Sequence, residues 1–313
     1  MTKGNHFPEV LLFGNGLIHD SNELKWEDLI KNISINRKIP EKMESPYPIQ
    51  IILATEDNVD KTLKEHKPEF YGKLKSDRVR RLLESILSIG FDDILTTNYS
   101  YELEAASLEK ETVSDYFLTK STETFCSKAE GKYMLSTYQK VSYKGTDNRV
   151  WHIHGEARKP SGMIIGHYYY GIYLSHMMKY LEKRHGFYSH DHYGSDIRGW
   201  LDSFIKGNVY ILGQGLDFSE FDLWWLINRK KREKGCHGKT YFYVCDLDPE
   251  KKDDIEKKEL LRLLDVEVID MRDMFKERLD ADSNQGYLDF YEYALEVIKE
   301  KIKNNRTAGD RQG

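Results

Sequence analysis

No stretch of about 18 consecutive apolar residues occurs in this chain, which leaves no candidate for a membrane-spanning helix. Cysteine is scarce. Cys126, Cys236 and Cys245 stand apart, and no Cys-x-x-Cys pair occurs. That excludes a cysteine-based zinc ribbon, argues against a disulfide framework and fits a reducing compartment. The amino terminus, Met1 to Pro8, lacks the apolar core of a signal peptide, so a cytoplasmic location is expected. A charge excess of one sign is also missing. With 47 Lys and Arg against 52 Asp and Glu, the net charge is −5, which argues against a broad nucleic-acid footprint and leaves room only for a local basic patch. Internal repeats and low-complexity tracts are absent.

What is present suits a soluble globular protein: 313 residues, 39% hydrophobic and 32% charged, enough to bury a core within one large domain carrying an insertion. Short apolar runs read as strands at Glu9–Phe13, Asp92–Thr97, Val150–His154, Gly162–Ile165, Val209–Leu212, Thr240–Cys245 and Val266–Ile269. Val150–His154 and Gly162–Ile165 read as a hairpin, or as a strand followed by a short return, through 155–161. Helices are expected near Leu24–Ile33, then over Asp77–Ile89, Tyr168–Lys183, Ile197–Ile205, Ser219–Lys234, Pro249–Leu264 and Tyr287–Lys303. Residues 36–50, with three prolines, and 185–193 read as loops. Ile51–Ala54 is too short to assign, and 104–148 reads as an insertion without assigned elements. Strands alternating with helices imply an α/β, Rossmann-like, doubly wound parallel sheet with helical and irregular insertions. One domain is expected over 1–306, with a disordered tail over 307–313.

Five strand ends carry the polar and glycine residues. Gly14-Asn15-Gly16 closes the first strand, where missing side chains let a phosphate approach backbone amides; an ordinary tight turn fits equally. Position 19 is His19, so the full dinucleotide fingerprint is incomplete. Thr96-Thr97-Asn98 ends the second strand, and Asn98 reads either as a ligand-orienting amide or as a helix cap. His152 and His154 lie two apart on one strand face, open to a shared metal, to packing, or to general-base chemistry at His154. Gly213-Gln214-Gly215 repeats the glycine turn. Asp246 and Asp248 follow the next strand, where a carboxylate binds a ribose hydroxyl or caps the following helix. Trp224-Trp225 reads as core and rim packing, and the charge run 229–234 as the solvated end of a helix.

Taken in this order, these segments resemble the sirtuin-like family over residues 9–270. The absent zinc-binding cysteines, the Gly-Asn-Gly start and Ser100 in place of an aspartate resemble its bacterial phage-defence, abortive-infection branch. The resemblance implies an NAD+ glycohydrolase that depletes the cell of NAD. In that reading Asn98 and His154 are catalytic, while Gly14, Asn15, Gly16, Thr97, Gly213, Gly215, Asp246 and Asp248 contact NAD, which is the substrate. No metal is expected. The alternatives are a nucleotide-sensing or interaction module of a defence complex and, further off, an NAD-dependent deacylase. An NAD-destroying enzyme has to be held silent, so a homo-oligomer or a partner such as an ATPase or sensor is expected, with no membrane association.

Overall fold

Val10, Leu11, Leu12 and Phe13 alternate between two cores: Leu11 and Phe13 join one apolar cluster, Val10 and Leu12 the other. A strand with both faces buried belongs in the middle of a parallel sheet covered by helices on each side. The computed structural model describes residues 7–18, 30–31, 33–34, 45–56, 58–65, 74, 76–108, 121–124, 135–185, 199–233, 235 and 237–310. Within these, eight strands form one sheet: β1 (Glu9–Phe13), β2 (Asp93–Thr96), β3 (Ser121–Thr124), β4 (Thr137–Tyr143), β5 (Thr146–His152), β6 (Asn208–Leu212), β7 (Thr240–Val244) and β8 (Val266–Asp270). Their order is β3-β4-β5-β2-β1-β6-β7-β8. The run β5-β2-β1-β6-β7-β8 is parallel, and β3 and β4 extend one edge antiparallel. The chain builds outward from β1 to one side, then returns to the other side at β6. This is a Rossmann-like α/β fold, and in open sheets of this kind ligands bind in the crevice beyond the carboxyl ends where the strand order reverses, here between β1 and β6.

Ten helices are described: α1 (Tyr47–Thr55), α2 (Val59–Glu65), α3 (Asp77–Ile89), α4 (Glu102–Ala106), α5 (His167–His185), α6 (Trp200–Lys206), α7 (Phe221–Lys231), α8 (Lys252–Leu263), α9 (Arg272–Ala281) and α10 (Ser283–Asp310). Helix α3 follows the sequence closely. Ser76 caps it through the Val79 N–H, Gly90 ends it at φ 79°, and Val79, Leu82, Leu83, Ile86 and Leu87 fill its buried face. Helix α10 packs on α3, where Arg78 donates to Glu292 at 2.9 Å and is ion-paired with Asp289. Among the described residues no helix is long and apolar enough to cross a membrane.

Several expectations are corrected. Gly162–Ile165 is not a strand. The hairpin lies upstream, where β4 turns into β5 through Lys144 and Gly145 at φ 47° and 83°, the two-residue turn that matches strand twist. Residues 137–148 of the unassigned segment therefore belong to the sheet. His154 falls beyond β5, in the turn that follows it. Ile51–Ala54 sits inside α1, which starts at Tyr47 because Pro48 is tolerated in a first turn. Helix α7 begins at Phe221, not Ser219, and α8 begins at Lys252, because the chain turns at 249–250 first. The expected helix Tyr287–Lys303 lies within α10, which runs from Ser283 to Asp310, and α9 before it is not among the expected helices. The expected elements over 24–29 and 186–193 lie outside the described residues, as do 311–313.

At the opposite end of the sheet from the crevice, Asp93 is fully buried. It accepts from Arg149 Nε (2.7 Å) and Nη2 (2.9 Å), Trp151 Nε1 (2.7 Å) and Ser203 Oγ (2.5 Å). It joins β2, β5 and α6. Asp93→Ala is expected to lower unfolding stability by about 3 kcal/mol, read by urea denaturation. A loss below about 1 kcal/mol would contradict this role.

Candidate functional site

The turns after β1, β2, β5, β6 and β7 converge on one cleft of about 750 Å³. Asn15, Gly16, Thr97, Asn98, His154, Gly213, Gly215 and Asp246 all line it. Gly14 and Asp248 do not. Gly14 instead leaves room for Gln214, whose Oε1 would lie 1.9 Å from a Cβ at position 14. Asp248 accepts the Glu250 N–H at 3.0 Å and lies 3.8 Å from Arg272, so it serves the turn before α8.

The two glycine turns meet backbone to backbone. The Gly16 N–H donates to the Gly213 carbonyl at 2.9 Å. A Cβ on Gly16 would lie 2.8 Å from that oxygen and 2.7 Å from the Tyr291 hydroxyl. Gly213 has φ 63°, whereas nothing lies within 4 Å of a Cβ on Gly215. Gly14, Gly16 and Gly213 therefore answer to packing of the chain itself, and Gly215 leaves open space at the cleft.

His154 lines the cleft beside a buried acid. Its Nε2 lies 2.7 Å from Asp222 Oδ2, and both side chains are almost wholly buried. A carboxylate accepts the Nε2 proton, so in the neutral ring Nδ1 carries the lone pair. Tyr170 packs edge-on against the ring at 5.6 Å. Burial pushes the imidazole toward its neutral form. The Asp222 carboxylate, with Glu220 behind it, outweighs burial and holds the pKa above the ordinary value of 6.5. Because the folded value exceeds the unfolded one, the pair's contribution to stability is complete below that ordinary value and is lost as pH rises through the folded pKa. Asp222 Oδ1 has no hydrogen-bond partner among the described residues.

Asn98 is held by its backbone. Its N–H donates to Thr96 Oγ1 at 3.1 Å, and its carbonyl accepts from His152 Nδ1 at 2.8 Å. His152 Nε2 in turn meets Glu104 Oε1 at 2.7 Å. His152 and His154 thus engage different acids, and His152 packs beneath Asn98 rather than sharing a ligand with His154. The helix after β2 starts at Glu102 with Tyr101 at the cap position, so Asn98 is not its cap. Asn98 lines the cleft.

Polar links close the walls. The Thr97 hydroxyl donates to Gln214 Oε1 at 3.1 Å, and Gln214 Nε2 donates to Glu220 Oε1 at 2.5 Å. Burial pushes the Glu220 carboxyl up to about 7. Lys257 donates to the Gly215 carbonyl at 2.9 Å. Asp246 accepts from the Tyr287 hydroxyl at 2.8 Å, and Tyr287 stacks on Tyr291. Among the described residues, no three His, Cys, Asp or Glu side chains form a metal-binding group.

Sequence reading did not find Asp222, Glu220, Gln214 or Lys257. The available signal was two acids at the start of the helix after a glycine turn, a pattern that also reads as dipole complementation. No protein-family model matches the chain, and neither does any curated protein.

Replacing Asp222 by Asn removes the larger of the two charges that oppose burial, leaving only Glu220. The His154 imidazole is then expected to titrate below 6.5, against above it in the wild type, as read by NMR of the ring protons. An unchanged pKa in Asp222→Asn would contradict the pairing.

Proposed function

We propose that the protein is an NAD+ glycohydrolase that releases nicotinamide and ADP-ribose. The observation that carries this reading is the buried His154–Asp222 pair in a cleft that Asn98 also lines, at the reversal point of a Rossmann-like sheet. Nucleotides bind at that position in such sheets. The cleft's charges also suit the two ends of NAD+. Asp222 and Glu220 lie on the side of His154, where a cationic nicotinamide riboside would be stabilised. Lys257 of α8, bonded to the Gly215 carbonyl, suits the pyrophosphate. Asp246 with Tyr287 suits the hydroxyls of the adenosine ribose, and a carboxylate there disfavours a 2′-phosphate.

The chemistry needs little acid catalysis, because nicotinamide leaves as a neutral molecule from a pyridinium. The bond from C1′ to the ring nitrogen breaks and its electron pair leaves with nicotinamide. The Asn98 amide orients the water or the ribose hydroxyls. His154 Nδ1 accepts the proton of the attacking water, while Asp222 steadies the imidazolium that forms. From the sequence resemblance we extend the reading to anti-phage defence by NAD depletion, with activity held back by homo-oligomerisation or a partner protein.

Purified protein incubated with NAD+ is expected to yield nicotinamide and ADP-ribose by chromatography. His154→Ala and Asn98→Ala should each lower turnover about 10²-fold or more while the protein stays folded at the assay temperature by circular dichroism; His154→Ala also loses the stability of its pair with Asp222. Since the base acts when deprotonated and its pKa is raised, kcat/KM should climb with pH through a midpoint above 6.5. Full activity in His154→Ala would overturn the assignment.

A further inference from the structure

Glu220 occupies the position before the first residue of α7, yet its side chain makes no capping hydrogen bond. Glutamate is not among the residues favoured there. Its carboxylate is instead held at the cleft wall by two donors, Gln214 Nε2 on Oε1 at 2.5 Å and the Asp217 N–H on Oε2 at 3.0 Å. Gln214 is itself fixed. It is buried, it takes the Thr97 hydroxyl at 3.1 Å, and its Oε1 occupies the space that a side chain at Gly14 would need. Two turns and a strand end therefore aim one carboxylate into the same cleft as His154. Such fixed orientation is what electrostatic catalysis requires.

Resting on the reading of the cleft as an NAD+ glycohydrolase site, we propose that Glu220 is a further catalytic residue, whose carboxylate faces the positive charge that develops at C1′ as nicotinamide departs. It forms no bond and takes no proton. As the C1′–N bond breaks, the electron pair goes to nicotinamide; water oxygen bonds to C1′, and its proton goes to His154 and on to solvent. The division of labour between the acids follows from contact: Asp222 is bonded to His154, whereas Glu220, among the described residues, is bonded to neutral donors and keeps its charge for the substrate. The groups facing Glu220 are His154, which favours its ionised form, and Asp222 and Asp217, which oppose it; Tyr99 and Tyr170 also feel its charge. With the carboxyl near 7, a cationic substrate entering the cleft draws it toward the carboxylate.

The test is Glu220→Gln, which keeps the shape and removes the charge. Turnover of NAD+ is measured alongside calorimetric binding of ADP-ribose, which lacks the pyridinium. The expected result is a fall in kcat of about 10²-fold or more with ADP-ribose affinity within about twofold of wild type. Wild-type turnover in Glu220→Gln overturns the role of Glu220 and leaves the glycohydrolase reading standing. Parallel loss of turnover and ADP-ribose affinity also overturns it, because that marks a residue that only shapes the cleft. A wild type that neither binds nor cleaves NAD+ overturns the reading of the cleft and this proposal with it.

Discussion

Where β1 and β6 end, two glycine turns touch through a single hydrogen bond, from the Gly16 N–H to the Gly213 carbonyl. The cleft owes its shape to that contact. The strand order reverses there, so the sheet opens a crevice between the two turns. Small residues let the turns close on each other. A Cβ at Gly16 would strike Gly213 and Tyr291, and one at Gly14 would displace Gln214. With Gln214 in place, Thr97 and Glu220 are linked across the wall of the cleft. The contact therefore fixes side-chain positions at the ends of β2 and β6 as well as the path of the backbone.

Electrostatics then divide the cleft. Burial works against charge at His154 and Glu220 alike, and in each case a neighbour answers it. Asp222 raises the imidazole, while His154 restrains the rise of the Glu220 carboxyl. The result is a basic ring and a fixed carboxylate side by side, with Lys257 at the Gly215 turn and Asp246 at the end of β7. Beneath them, His152 and Glu104 hold the Asn98 backbone through two further buried contacts. On the proposed reading, each group meets the part of NAD+ of complementary charge.

Much of the fold was legible in the sequence, because a parallel sheet writes itself as short apolar runs ended by glycine or polar residues. β1, β6, β7 and helix α3 follow that rule nearly residue for residue. The β4–β5 hairpin was missed because its turn is Lys144-Gly145 rather than an asparagine–glycine pair, and because 104–148 is too polar for its strands to stand out. Candidate residues at strand ends were legible for the same reason: chain direction alone gathers Asn98, His154, Gly215 and Asp246. The glycines were legible as necessary, but not the reason; packing against Gln214 and Gly213 is invisible until the turns are brought together. Asp222 was hidden because its partner is 68 positions away in sequence. An acid in the first turn of a helix has a local explanation that needs no His154.

The most direct test of the account is a crystal structure of the His154→Ala protein with NAD+. The account predicts nicotinamide riboside beside Asn98 and Glu220, pyrophosphate on the turn from Gly213 to Gly215, and adenosine against Asp246 and Tyr287. A dinucleotide bound in the reverse direction, or a cleft left empty at saturating NAD+, would contradict it.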